Sequence, residues 1–187
     1  MSVRIIAGTA KGRKLLTAGG WKTRPTANRA REAIFNIISA KLKEAVVLDL
    51  FAGTGAFGIE ALSRGAAFAL FIDNDRQALA LIEKNVHSCY MESRSRLIGW
   101  NILKNLECIR AAAPPFNLVF MDPPYGRNYV EVTLRHLDAA GALEKGAVIV
   151  IEHDHSDPLP GDIPGYIVYD QRRYGRAMVT FARHGGG

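Results

Sequence analysis

Acidic residues are absent from the first 31 positions of this 187-residue chain, and cysteine is scarce throughout it. The two cysteines, Cys89 and Cys108, match no metal-ligand spacing and leave no room for a disulfide scaffold. They read as small core residues of a reducing compartment. No apolar run approaches the roughly 20 residues of a membrane span, and no apolar signal region follows the basic N-terminal stretch. A soluble, cytoplasmic protein is expected. Internal repeats are missing, as is low-complexity sequence apart from Gly185-Gly186-Gly187. What is present is ordinary globular composition, 48% hydrophobic, over a length that suits one domain or one domain with a short appendage.

The missing acids leave the charge unevenly placed. Eight basic residues, Arg4, Lys11, Arg13, Lys14, Lys22, Arg24, Arg29 and Arg31, come before the first acid. The other 16 lysines and arginines face 18 acids, so the whole net charge of +6 sits at one end. A solvated tail is one explanation, but apolar residues interrupt the run and argue against disorder. An electrostatic footprint for nucleic-acid phosphate fits better.

The remaining chain is organised around Val46-Val47-Leu48-Asp49-Leu50-Phe51-Ala52-Gly53-Thr54-Gly55-Ala56-Phe57-Gly58. A short apolar run that stops at glycine reads as a strand buried on both faces, and Ile59 to Leu62 then reads as helix. Gly53 and Gly55 permit a tight turn and let a ligand approach the main chain, toward which the helix N-terminus points its free N–H groups. Gly53-x-Gly55-x-x-Gly58 also matches the dinucleotide fingerprint, although a plain tight turn satisfies the same pattern. Asp49 favours a different ligand. A carboxylate at that strand end repels a pyrophosphate but attracts the ammonium and sulfonium of S-adenosylmethionine.

In chain order, Val3 to Gly8 and Gly12 to Leu16 form a small basic hairpin turning at Thr9-Ala10-Lys11. Arg24-Pro25-Thr26 leads into a helix, with Thr26 as N-cap and Ala30, Ala33, Ile34, Ile37 and Ile38 on the buried face. Arg29 and Arg31 flank that face, where they either reach phosphate or substrate or form a solubilising rim. Phe68 to Ile72 is a second buried strand ending at Asp73, 20 residues after Gly53 and so placed to bind both hydroxyls of a cofactor ribose. Asn74 follows, and Asp75 caps a helix carrying Ala78, Leu79, Ile82 and Val86 on its apolar face. Arg96 to Gly99 is a third strand, continued through Trp100 and Asn101 into a helix ending near Pro114-Pro115. Phe116 to Met121 is the fourth strand, Tyr129 to Ala140 a helix, and Ala147 to Ile151 the fifth strand. Tyr166–Asp170 and Ala177–Phe181 flank a turn at Arg172–Gly175 and close the sheet as an antiparallel hairpin. Strands alternating with helices make a doubly wound α/β, Rossmann-like, mostly parallel sheet. His153-Asp154-His155 reads as a surface loop.

Asp122-Pro123-Pro124-Tyr125, directly after a buried strand, is the most specific signal. The prolines fix the backbone and remove two donors, leaving carbonyls and one acid facing outward. A planar ring with an exocyclic amine suits that corner: the amine donates to the acceptors and the ring stacks on Tyr125. A simple Pro-Pro turn is the plain alternative.

With both motifs present, the chain resembles class I S-adenosylmethionine-dependent methyltransferases of amino groups. Within these it resembles the bacterial RsmD-type family, which methylates N2 of a guanine in 16S ribosomal RNA. The resemblance spans nearly the full length, through Arg4–Gly8, Arg24-Pro25-Thr26, Arg31–Asn36, Asp49–Gly55, Asp122–Tyr125 and Arg173-Tyr174-Gly175. It implies a basic hairpin extension over 1–22, a methyltransferase domain over 23–184 and a flexible tail over 185–187. It implies catalysis at Asp122, Pro123, Pro124 and Tyr125, and cofactor binding by Asp49, Phe51, Gly53, Thr54, Gly55, Asp73, Asn74 and Asn101. The eight basic residues become the RNA contacts, with 16S rRNA or the assembling small subunit as partner, a monomeric state, and neither metal nor membrane. Two positions depart from the family pattern. Asp73 stands where Glu is usual, and Trp100-Asn101 where an acid commonly contacts adenine; the Asn101 carbonyl oxygen can accept that hydrogen bond instead.

Other functions share parts of this pattern. A DNA adenine-N6 methyltransferase has the same Asp-Pro-Pro-Tyr corner, but usually needs a recognition module for which this chain has little room. A protein glutamine methyltransferase would not need the basic N-terminus. Asp49 disfavours a nucleotide-dependent dehydrogenase, and two intact site motifs disfavour a non-catalytic RNA-binding module.

Overall fold

The computed structural model describes residues 3–17, 25–124, 128–156, 159 and 163–185. Lys22, Arg24 and Tyr125 lie outside the described residues. Five apolar runs, β3 (Val46–Leu50), β4 (Phe68–Asp73), β5 (Ser95–Gly99), β6 (Phe116–Met121) and β7 (Leu143–Asp154), pair in parallel. β8 (Tyr166–Tyr174) and β9 (Ala177–His184) complete the sheet, with β9 antiparallel to both β7 and β8. The order is β5-β4-β3-β6-β7-β9-β8, so the sheet reverses its winding between β3 and β6. In open α/β sheets, ligands bind beyond the strand C-termini at such a switch point.

The central strands are apolar apart from Asp49, Asp73 and Asn117, because both faces are covered. Val47, Ala69, Phe71, Leu118, Phe120, Val148 and Val150 share one core with Ile34, Phe35, Ile59, Ile82 and the hairpin residues Val3, Ile5 and Leu15. Leu48, Leu50, Leu70, Ile72, Val119, Met121, Ile149 and Ile151 share the other with Leu134 and Leu137. The helices on the first face are α1 (Pro25–Ile37), α2 (Ala56–Ser63) and α3 (Arg76–Ser88); α4 (Tyr129–Ala140) covers the second. No helix among the described residues is long and apolar enough to cross a membrane.

β1 (Val3–Arg4) and β2 (Lys14–Leu15) form the expected N-terminal hairpin, as a separate two-stranded sheet. α2 holds it in place. The Glu60 carboxylate accepts the N–H groups of Ile6 (2.7 Å) and Ala7 (3.0 Å), and the Ser63 carbonyl accepts that of Thr9 (2.8 Å). The fit at Gly8 excludes any side chain, because a Cβ there would lie 1.8 Å from the Ser63 carbonyl oxygen. From α3, the buried Asn85 carboxamide binds both backbone groups of Leu16 and donates to the Thr54 carbonyl at 2.9 Å. One side chain thus ties the hairpin to the glycine loop.

Several local expectations are corrected. α1 starts at Pro25, whose fixed φ suits a first helical position, so Thr26 lies in the first turn and is not the N-cap. Its buried face is Ala30, Arg31, Ile34 and Phe35, continued by Ile38 just beyond the helix, while Ile37 is 40% exposed. No α-helix follows β5; the chain passes through a turn and a single 3-10 turn, Glu107–Ile109. The side chains of Asn101 and Asn105 accept the N–H groups of Leu103 and Glu107, local bonds that compete with helix formation. The His153 segment is strand and not surface loop: His153 and Asp154 are buried at the end of β7, and only His155 turns outward. The closing turn is the two-residue Gly175-Arg176, because β8 stays paired through Tyr174 opposite Ala177 and Gly175 supplies a positive φ of 66°.

Candidate active site

Strand alternation decides which side chains meet. Asp49 shares a sheet face with Val47, Asp73 with Phe71, Asp122 with Phe120 and Glu152 with Val150, since residues two apart point the same way. All four acids sit at or just beyond the C-terminal ends of adjacent strands, on the α1–α3 face. They line one open cleft of about 560 Å³, within the usual range for a small-molecule site.

The β3–α2 turn forms the cleft floor. Phe51, Gly53 and Gly55 all have positive φ, at 57°, 57° and 74°. Phe51, Gly53 and Thr54 line the cleft; Gly55 instead donates its N–H to the Ala52 carbonyl (2.7 Å) and opens α2. Gly58 is required by packing, because a Cβ there would lie 2.3 Å from the Phe71 ring. Its N–H donates to the Asp49 carboxylate at 2.9 Å. Burial, opposed by that bond and reinforced by Asp73, pushes the Asp49 carboxyl up to about 8.

Asp73 stands opposite. One carboxylate oxygen accepts the Gly53 N–H and the other the Asp75 N–H, both at 2.9 Å. A carboxylate has about four acceptor positions, so both oxygens can accept more. Asp75 caps α3 by accepting the Gln77 N–H at 2.8 Å, and Asn74 and Asp75 complete this wall.

β6 delivers Asp122, Pro123 and Pro124 to the same cleft. Enclosure by protein, then the like charges of Glu152 and Asp49, holds the Asp122 carboxyl well above the usual carboxylate range. Asp122 is nevertheless exposed on its cleft side, so water there moderates the rise. Asn101 is not among the cleft-lining residues; its carboxamide oxygen accepts the Leu103 N–H.

Of the basic residues, Arg4, Lys11, Arg13 and Lys14 are exposed on the hairpin, and Arg29 is exposed on α1. Arg13 lies over the exposed Tyr90 ring, 5.2 Å from its centroid. Arg31 departs from the expectation of a free phosphate contact. It is only 5% exposed, bonds to the Arg4 carbonyl and lines the cleft, because the hairpin packs across this part of α1. Its Nε is buried without a hydrogen-bond partner among the described residues.

The family described as "Conserved hypothetical protein 95" matches residues 3–183. "Putative rRNA methyltransferase YlbH" of Bacillus subtilis is 32% identical over 184 residues, covering 98% of this chain and 100% of the relative. The chain belongs to the RsmD-type family of class I methyltransferases. "Ribosomal RNA small subunit methyltransferase D" of Escherichia coli K12 is 37% identical over 158 residues, covering 84% of this chain and 78% of the relative. A solved structure described as "Putative methyltransferase yhhF from Escherichia coli" superposes with a TM-score of 0.85 at 32% identity, covering 100% of both chains.

Against this RsmD-type frame, the sequence reading placed Asp49, Phe51, Gly53, Thr54, Asp73, Asn74, Asp122, Pro123 and Pro124 at what proves to be one cleft. It missed Glu152, and it placed Arg31 within reach of phosphate or substrate without its burial at the cleft. Glu152 had a usable signal: it is a lone acid ending an apolar run, as are Asp73 and Asp122.

Proposed function

We propose that this RsmD-type protein transfers a methyl group from S-adenosylmethionine to N2 of a guanine in 16S ribosomal RNA. The observation that carries the reading is the meeting of the Asp73–Gly53 wall and the Asp122-Pro123-Pro124 corner across one cleft. The names of the relatives given above support ribosomal RNA as substrate.

The lining residues fit the cofactor. Five carboxylates, Asp49, Asp73, Asp75, Asp122 and Glu152, face one guanidinium, that of Arg31, among the described lining residues. S-adenosylmethionine carries an ammonium, a sulfonium and one carboxylate. The Arg31 guanidinium is a donor for that carboxylate, Asp49 suits the cations, and Asp73 accepts from the ribose hydroxyls. The bound cofactor supplies an electrophilic methyl group on positively charged sulfur.

The chain's own residues do the rest. The guanine amine is a poor nucleophile because its lone pair is delocalised into the ring. Asp122 and the Pro123 carbonyl orient its protons and help the nitrogen pyramidalise, with the Tyr125 ring proposed to stack on the base. Positive charge grows on that nitrogen, so a fixed carboxylate favours the transition state over the ground state, and the methylated cationic amine, a strong acid, then gives up its proton to water. The exposed Arg4, Lys11, Arg13, Lys14 and Arg29, together with Lys22 and Arg24, attract RNA phosphate.

Asp122→Ala is expected to slow single-turnover methyl transfer about 10²–10³-fold, the scale for one lost preorganised transition-state interaction, with cofactor affinity nearly unchanged. Transfer at the wild-type rate would refute the mechanism. Mapping the methylated nucleoside in 16S rRNA tests the substrate.

A further inference from the structure

Glu152 stands beside the reacting corner by strand register. β6 and β7 run parallel with Phe120 opposite Val150 and Met121 opposite Ile151, so the next residues, Asp122 and Glu152, emerge side by side. Adjacent strands are about 4.8 Å apart, which sets the two carboxyl groups at neighbouring acceptor positions. Both point to the same sheet face and both line the cleft. The buried Arg31 lines the same cleft with an Nε that has no partner among the described residues, which independently marks it as a ligand site.

Two adjacent acceptors select for adjacent donors. On its Watson–Crick edge guanine offers N1–H next to the two N2 protons. Adenine instead presents a lone pair at N1 beside its amine, and cytosine presents one at N3. A carboxylate next to the amine-binding corner meets a proton in guanine and a lone pair in the other two. We propose that Glu152 reads guanine by accepting its N1–H while Asp122 and the Pro123 carbonyl hold the N2 amine. This rests on the functional reading above and adds the residue that gives base identity. Enzymes that modify a base commonly read its exposed edge in this way after taking it out of the stack.

A base analogue tests the assignment. 2-Aminopurine keeps the N2 amine but carries a lone pair at N1. Ligated 16S rRNA with guanosine or 2-aminopurine riboside at the mapped position is methylated by wild type and by Glu152→Gln, whose amide can donate to that lone pair. Wild type is expected to prefer guanosine about 10–100-fold in kcat/KM, the range for a good base-edge contact. Glu152→Gln is expected to reduce that preference at least ~10-fold, by losing rate on guanosine and gaining it on 2-aminopurine. A circular dichroism spectrum and a cooperative melting transition like those of wild type would show that the variant is folded. A preference that Glu152→Gln leaves at its wild-type value overturns the assignment, even when guanine N2 is the methylated atom. If wild type places no methyl on guanine N2, the functional reading falls, and the role of Glu152 falls with it.

Discussion

Cofactor binding to this protein should release a proton, and Asp49 is the reason. Its carboxyl is buried, accepts one N–H from Gly58 and is held at about 8 by burial, with Asp73 adding to the rise. At pH 7 a group with that value is about 90% protonated in the empty cleft. An arriving ammonium and sulfonium favour the carboxylate and pull the proton off. Affinity then rises with pH by nearly tenfold per unit between pH 6 and 7, and the rise ends near pH 8, where the ligand's own α-ammonium begins to lose its proton. The sign for stability is opposite. The folded-state value lies above the ordinary one, so this group stabilises the empty fold below about pH 4, and that stability is lost as pH climbs through about 8. Full ionisation costs the empty protein on the order of 5 kcal/mol. Titration calorimetry of S-adenosylmethionine at pH 7, in buffers of different ionisation enthalpy, should find a net release approaching one proton. Asp49→Asn keeps an acceptor for the Gly58 N–H but has no proton to release. It should flatten the pH dependence and make the empty protein more stable at pH 9. Asp122 is also raised in the same cleft, so the variant is what isolates Asp49. Equal pH profiles for wild type and Asp49→Asn would refute the argument.

Two further outcomes follow from the N-terminal hairpin. Neutralising Lys11, Arg13, Lys14 and Lys22 together should weaken RNA binding and flatten its log–log salt dependence by up to about 0.7–0.9 per lost phosphate contact, while calorimetry finds cofactor affinity unchanged. Asn85→Leu removes three hydrogen bonds, two to Leu16 and one to Thr54, and should lower stability by about 2–4 kcal/mol in chemical denaturation. Cofactor affinity should fall as well, since the same side chain holds the glycine loop; a loss of stability without a loss of affinity would show that the loop stands without the hairpin.

The sequence by itself determined the alternation of strands and helices, the glycine turn and the acids Asp49, Asp73 and Asp122 at strand ends. These are local facts: an apolar run buried on both faces, an abrupt glycine, an acid where burial stops. The basic N-terminal segment was equally legible, because charge can be counted along the chain. Where side chains competed with the backbone, the sequence misled, as at Asn101 and Asn105, whose own hydrogen bonds replaced an expected helix. Only the tertiary structure decided the fate of Arg31, because the hairpin that buries it comes from 27 residues away. The same holds for Glu60 and Asn85, polar residues on helices that serve backbone groups 53 to 69 positions distant. Glu152 carried a local signal, an acid ending an apolar run, but its place beside Asp122 came only when β6 and β7 paired. Register between strands 30 residues apart is a property of the assembled sheet, and no local pattern carries it.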